Sequence, residues 1–117
     1  MPLLTLTTSA DAPTEARSAA LLRDLSVAVA RELNKPETYV MTCLVPRATM
    51  TFAGSFEPAC AVEIKSIGGL GGDAASRLTA AVSKLVHEAL GVPSSRVYVV
   101  CTDVPASLWG LDGAMFG

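Results

Sequence analysis

Few side chains in this sequence are of a type and position that could do chemistry, and they are unlike one another. Pro2 follows the initiator methionine and stands at the threshold of Leu3 to Thr8, a branched run that reads as a strand. Two readings fit it. Proline is tolerated at the first position of a strand, where no ladder donor is needed. Alternatively, removal of Met1 exposes a free secondary amine at a strand start, beside a pocket. Lys35 follows a helix end and precedes Pro36, a place where lysine usually serves the helix dipole from solvent. The glycine-rich "SIGGLGG", Ser66 to Gly72, lies between a strand and a helix, and Gly69, Gly71 and Ala74 form a loose G-x-G-x-x-A. A dinucleotide fingerprint also needs an acidic residue about 20 positions on at a strand end, where this chain still reads as helix. The glycines therefore either turn backbone N–H groups toward a small anion or carbonyl, or simply form a flexible turn. Tyr98, among Val97, Val99 and Val100, reads as core.

Other chemistries lack their residues. No Ser/His/Asp set, carboxylate pair or reactive Cys/His pair stands out, so conventional hydrolysis has no machinery. The single histidine, His87, sits beside Lys84 and Glu88, off the apolar stripe of its helix, and reads as a solvated surface residue. Cys43, Cys60 and Cys101 are odd in number and widely spaced, which fits reduced thiols packed in strands. With one histidine and no CxxC pair, no metal site is expected. The net charge of -2 and a pI near 5.2 offer no electrostatic footprint for nucleic acid. No basic leader with an apolar core precedes the first strand, and no apolar run approaches the roughly 20 residues that cross a bilayer. The chain is expected to be soluble, made in the cytosol and free of the membrane. Only 17% of its residues are charged, against a usual share of about 25%, and an oligomer would explain so few.

The elements that position these residues come in two copies. "LNKPETYVMTCL" from Leu33 and "LGVPSSRVYVVC" from Leu90 share a leucine, a turn residue, a proline and then a β-branched or aromatic run. The offset between Pro36 and Pro93 also lays Leu3–Ser9 over Cys60–Ser66, and the helical stretch 13–33 over 70–90. The 117 residues read as one domain with pseudo-repeats of about 2–45 and 59–102, a connector 46–58 and a C-terminal tail 103–117. In the first helix Leu22, Leu25, Val29 and Leu33 form the apolar stripe, with Arg23, Asp24, Arg31 and Glu32 opposite. In the second the stripe is Leu78, Val82, Leu85 and Ala89. Thr14 and Asp73 suit N-caps, and Asn34 and Gly91 suit left-handed helix ends. A strand, crossover helix and second strand form a right-handed parallel unit. Two such units give an α/β fold: a four-stranded mixed sheet with both helices on one face. "YVMTCLV" and "RVYVVCT" are nearly continuous apolar runs, the pattern of strands buried on both sides. The open face is therefore expected to take a second layer from another subunit. The connector holds a short strand-like piece before Gly54, and the aromatics of the tail, Trp109 and Phe116, either pack as a satellite, anchor a neighbour or line a pocket.

An N-terminal "MP", then "KPETYV", "FAGSFEPAC", "SIGGLGG", "RVYVV" and a tail ending in "MFG", follow one another in an order that resembles the macrophage migration inhibitory factor and D-dopachrome tautomerase family over essentially the whole chain. The resemblance implies a homotrimer with pockets between subunits. It also implies that Pro2, freed of Met1, is the catalytic base, and that Lys35 and the backbone N–H of Ile67 hold the oxygens of a small aromatic α-keto acid. Tyr98 of the adjacent subunit would form a pocket wall, with Phe116 nearby. The implied activity is cofactor-independent keto–enol tautomerisation of phenylpyruvate- or dopachrome-like compounds. Two other functions stand beside it: a secreted, cytokine-like protein that binds a cell-surface receptor and keeps a vestigial pocket, and hydration or dehalogenation of a small unsaturated acid, for which no water-activating acidic residue is evident near Pro2. A cytoplasmic protein, also exported without a signal peptide, is the implied location. Three positions depart from the family pattern. Ala59, Cys60, Ala61 and Val62 replace a CxxC, Val100 replaces an asparagine two positions after the "RVY" tyrosine, and Trp109 comes earlier after the last strand.

Overall fold

Strict alternation decides the first strand. In Pro2–Thr8 (β1) the side chains of Pro2, Leu4, Leu6 and Thr8 are buried while the residues between them are only half-covered. The computed structural model describes residues 1–117. β1 pairs in parallel with Met41–Val45 (β2), so that Leu3 lies opposite Met41, and antiparallel with Cys60–Ser66 (β3), so that Pro2 lies opposite Ser66. β3 pairs in parallel with Val97–Asp103 (β4). The resulting order is β2-β1-β3-β4, each outer strand joined to its inner neighbour through a helix. This is the doubled strand–helix–strand unit that the repeat requires.

Both helices cover one face. Glu15–Leu33 (α1) starts at Thr14, whose hydroxyl accepts the Arg17 N–H at 3.3 Å, and stops at Asn34, which turns left-handed at φ 53°. Ala74–Leu90 (α2) stops at Gly91, also left-handed at φ 71°. Asp73 occupies the residue before α2 but makes no side-chain bond to the helix, so the expected cap there is positional only. Each stripe is rotated slightly from expectation. α1 buries Leu21 and Ala28 with Leu25, Val29 and Leu33, while Leu22 is half-buried; α2 buries Val86 with Leu78 and Val82, while Leu85 and Ala89 are half-buried. The cause is shared coverage: α1 and α2 pack against each other as well as on the sheet, so each apolar stripe is wider than one sheet contact demands. The core lies between these helices and Leu4, Leu6, Val62 and Ile64.

The other sheet face is open in the single chain. Met41, Cys43 and Val45 of β2 and Tyr98 and Val100 of β4 point away from the helices and are exposed. Tyr98 is 64% exposed. This corrects the core assignment made for Tyr98 and Cys43 from their apolar neighbours, because continuous apolar runs do not distinguish burial within a chain from burial under a partner. Cys60 is buried and Cys101 half-buried, as expected. The tail folds back as a small hairpin, Gly110–Leu111 (β5) with Ala114–Met115 (β6). In the connector, Phe52 and Ser55 form an isolated bridge. No helix is long and apolar enough to cross a membrane.

Candidate active site

Four chain segments meet at one end of the sheet: the start of β1, the end of α1, the β3–α2 turn and the tail. Pro2 is there because it opens β1, and it is buried because its side chain points to the helix-covered face. Lys35 is there because the left-handed turn at Asn34 redirects the chain across the sheet end. Its ammonium donates to the carbonyl of Ile67 at 2.8 Å. The N–H of the same Ile67 donates to the Met1 carbonyl at 3.4 Å. Pro2, Lys35 and Ile67, far apart in sequence, thus share one corner.

The turn that carries Ile67 is braced on several sides. The buried Ser66 hydroxyl donates to the Gly68 carbonyl at 2.7 Å, and the Gly68 N–H donates to the Asp103 carboxylate at 2.9 Å. That N–H is engaged by the carboxylate and so is not free to meet an anion. Gly69 has a different task. At φ +82° it lies so close to Lys35 that an added Cβ would stand 3.0 Å from the lysine Cε and 3.0 Å from the Leu33 carbonyl oxygen. The glycine lets the turn seat the lysine.

Beside this corner opens a mostly apolar cavity of about 440 Å³, walled by Pro2, Tyr39, Met41, Trp109, Leu111 and Phe116. Tyr39 and Phe116 meet edge to face at 6.5 Å. The tail aromatics therefore line a pocket. The Met1 α-amino group lies at the same place, where burial, and after it the Lys35 cation, hold it below the ordinary α-amino value. A cation is disfavoured at this chain end.

A sequence model of the macrophage migration inhibitory factor family matches residues 1–117. The chain belongs to that family. A macrophage migration inhibitory factor homolog from Brugia malayi is 33% identical over 117 residues, the whole of both chains. Among solved structures, a macrophage migration inhibitory factor homologue from Prochlorococcus marinus superposes with a TM-score of 0.93 at 43% identity, covering 98% of this chain and 99% of that one. A second, Pt0534 inactivated by 2-oxo-3-pentynoate, superposes with a TM-score of 0.84 at 26% identity, covering 97% and 94%.

In this family member the expected residues divide into two groups. Pro2, Lys35, Ile67 and Phe116 gather at one sheet end. Tyr98 of the same chain does not join them: it pairs with Ala61 whereas Pro2 pairs with Ser66, about 17 Å farther along the sheet at the strand rise. Reasoning from sequence missed Tyr39 and Met41 as pocket walls. A signal for them existed, since a parallel β2 beside β1 places the residues after "KPE" next to the strand start at Pro2. Asp103, which fastens the Ile67 turn, was also missed; nothing local in "CTDVP" points to a loop so distant in sequence.

Proposed function

We propose that this chain is a cofactor-independent keto–enol tautomerase of phenylpyruvate-like α-keto acids, working as a homotrimer with Pro2 as its general base. One observation carries the reading: the Ile67 N–H donates to the carbonyl of the peptide that joins Met1 to Pro2, while the Lys35 ammonium, held on the Ile67 carbonyl, is close enough to disfavour a cation on the Met1 amine. While Met1 is attached, the proline nitrogen is an amide without a basic lone pair. Once Met1 leaves, Pro2 carries the chain's amine and the Ile67 N–H loses its acceptor. The Met1 carbonyl thus stands where a substrate oxygen would be received.

The freed amine inherits a setting that disfavours its cation. An ordinary α-amino group, with a pKa of about 8, is mostly protonated at neutral pH. Burial and the neighbouring Lys35 favour the neutral base. That base removes a proton from the carbon beside the ketone, and the C–H electron pair becomes the enolate's C=C as the carbonyl oxygen takes the charge. Lys35 and the Ile67 N–H face that oxygen and the carboxylate, and the prolinium returns its proton to the oxygen. The apolar cavity next to Pro2 suits an aryl group. Inactivation of the structural neighbour Pt0534 by 2-oxo-3-pentynoate, itself an α-keto acid, supports this substrate class. Tyr98, exposed on the open sheet face, is assigned to the pocket of an adjacent subunit.

Intact mass should show loss of Met1, and Pro2→Gly should cut phenylpyruvate tautomerisation by about 10²-fold, the low end for a positioned base. Undiminished turnover in the variant, or a retained Met1 in active enzyme, refutes the assignment. The names of the curated relatives favour a second reading, a signalling protein. Binding to a cell-surface receptor that survives Pro2→Gly would separate it from catalysis.

A further inference from the structure

The two sequence stretches "FAGSFEP" and "RVY" are joined in the fold by one side chain that the catalytic scheme leaves unused. Arg96 is half-buried in the turn just before β4, and its guanidinium donates to four backbone carbonyls of the connector. Nε reaches Pro58 at 3.0 Å, Nη1 reaches Phe52 at 3.2 Å, and Nη2 reaches Ser55 at 3.2 Å and Glu57 at 2.9 Å. No carboxylate pairs with it. A planar fork of fixed donors is suited to gathering several carbonyls at once, which a lysine ammonium cannot reproduce.

The segment it gathers resists its own shape. Phe52 and Ser55 exchange two backbone hydrogen bonds, both 3.0 Å, around Ala53 at φ 53° and Gly54 at φ 74°. Such a two-residue turn wants asparagine or glycine first, and alanine is unfavourable there. The guanidinium binds the carbonyls at both ends of the turn. It also lies 5.2 Å from the centre of the Phe52 ring, and that ring meets Tyr98 edge-on at 5.0 Å. A continuous chain of contacts therefore runs from Arg96 through the connector to Phe52 and on to Tyr98.

We propose that Arg96 is a positioning residue for substrate specificity: it moulds the connector so that Phe52 buttresses Tyr98, fixing the wall that Tyr98 gives to the adjacent subunit's pocket. This rests on the assignment of Tyr98 to that pocket. Loss of an oriented aromatic pair corresponds to about three- to tenfold in an equilibrium. Arg96→Lys and Phe52→Leu should each raise the KM for phenylpyruvate by about that factor, with kcat held within about twofold because the reacting atoms at Pro2 are untouched. Phe52→Leu leaves the carbonyl clamp in place, so it tests the buttress even if Arg96→Lys folds poorly.

The structural readout is fluorine NMR of 3-fluorotyrosine protein in a Tyr39→Phe background, where Tyr98 is the one remaining tyrosine. Both variants should shift or broaden its resonance. An unmoved resonance overturns the proposal whatever the kinetics. A moved resonance with unchanged KM, while Tyr98→Ala raises KM, also overturns it, because Arg96 would then be scaffold alone. If Tyr98→Ala leaves KM unchanged as well, the pocket assignment itself fails and the proposal falls with it.

Discussion

At the scale of single residues, the site depends on how one corner treats charge. The Met1 amine is held below its ordinary value by burial and then by Lys35, and the Pro2 amine proposed to replace it at the same corner should likewise stay neutral to lower pH than in water. The acidic limb of kcat/KM for phenylpyruvate should therefore fall below pH about 8, the reference for an α-amino group. A limb at or above that reference would contradict the depression. Stability should follow the same sign. The unfolded chain binds the proton first as pH drops, so the folded state is penalised as pH falls below the ordinary α-amino value, and the penalty vanishes above it. Gly69 provides a second test. Its positive φ and the 3.0 Å approaches to Lys35 and to the Leu33 carbonyl oxygen leave a methyl group crowded there. Gly69→Ala should cost about 1–3 kcal/mol of stability and raise KM as Lys35 is pushed aside, both measurable by denaturant unfolding and steady-state kinetics. The place of Pro2 at a strand start was legible in the residues alone, whereas the base role proposed for it came from the motif order around it. Lys35, read alone, was a dipole partner; the bond to Ile67 that gives it another meaning spans the two repeats.

At the scale of elements, the sequence was a good guide to kind and a poorer guide to rotation. Both helices, the four long strands and the left-handed stops at Asn34 and Gly91 stand where periodicity and turn residues put them. The buried stripes differ by a residue or so because α1 and α2 also contact each other, and a single helix's period does not encode its neighbour. Leu25 belongs to the stripe on either view and is fully buried. Leu25→Ala should lower unfolding free energy by about 2–5 kcal/mol, read at fixed protein concentration since association would couple to folding. A loss near zero would place it outside the core. The α2 start shows the reverse case: Asp73 is a good capping residue by type, yet makes no capping bond, since its backbone at φ -93° and ψ 3° is not in the extended conformation of an N-cap.

At the scale of the whole molecule, the open sheet face is the feature a single chain leaves unexplained. Met41 and Val45 at the β2 edge and Tyr98 and Val100 at the β4 edge leave exposed apolar side chains on this face, with the exposed Glu63 and Lys65 of β3 between them, and exposed apolar area of this kind associates. Sedimentation should give a mass of three 12.1 kDa chains, and Val100→Glu, which sets a second carboxylate opposite Glu63, should dissociate them and abolish the intersubunit pocket. A monomer with full activity would remove both the trimer and the role given to Tyr98. The sequence by itself determined the doubled unit, the mixed sheet and the helix-covered face, because periodicity, turn residues and chain reversal are local properties repeated in each copy. It also carried the motif order that places this chain in its family. Only the tertiary structure decided that Pro2, Lys35 and Ile67 share a corner, that Asp103 and Arg96 brace loops far from them in sequence, and that the tail lines a pocket. Those relations depend on strand register and on carbonyls meeting side chains across long loops, and no local pattern of residues encodes such distances.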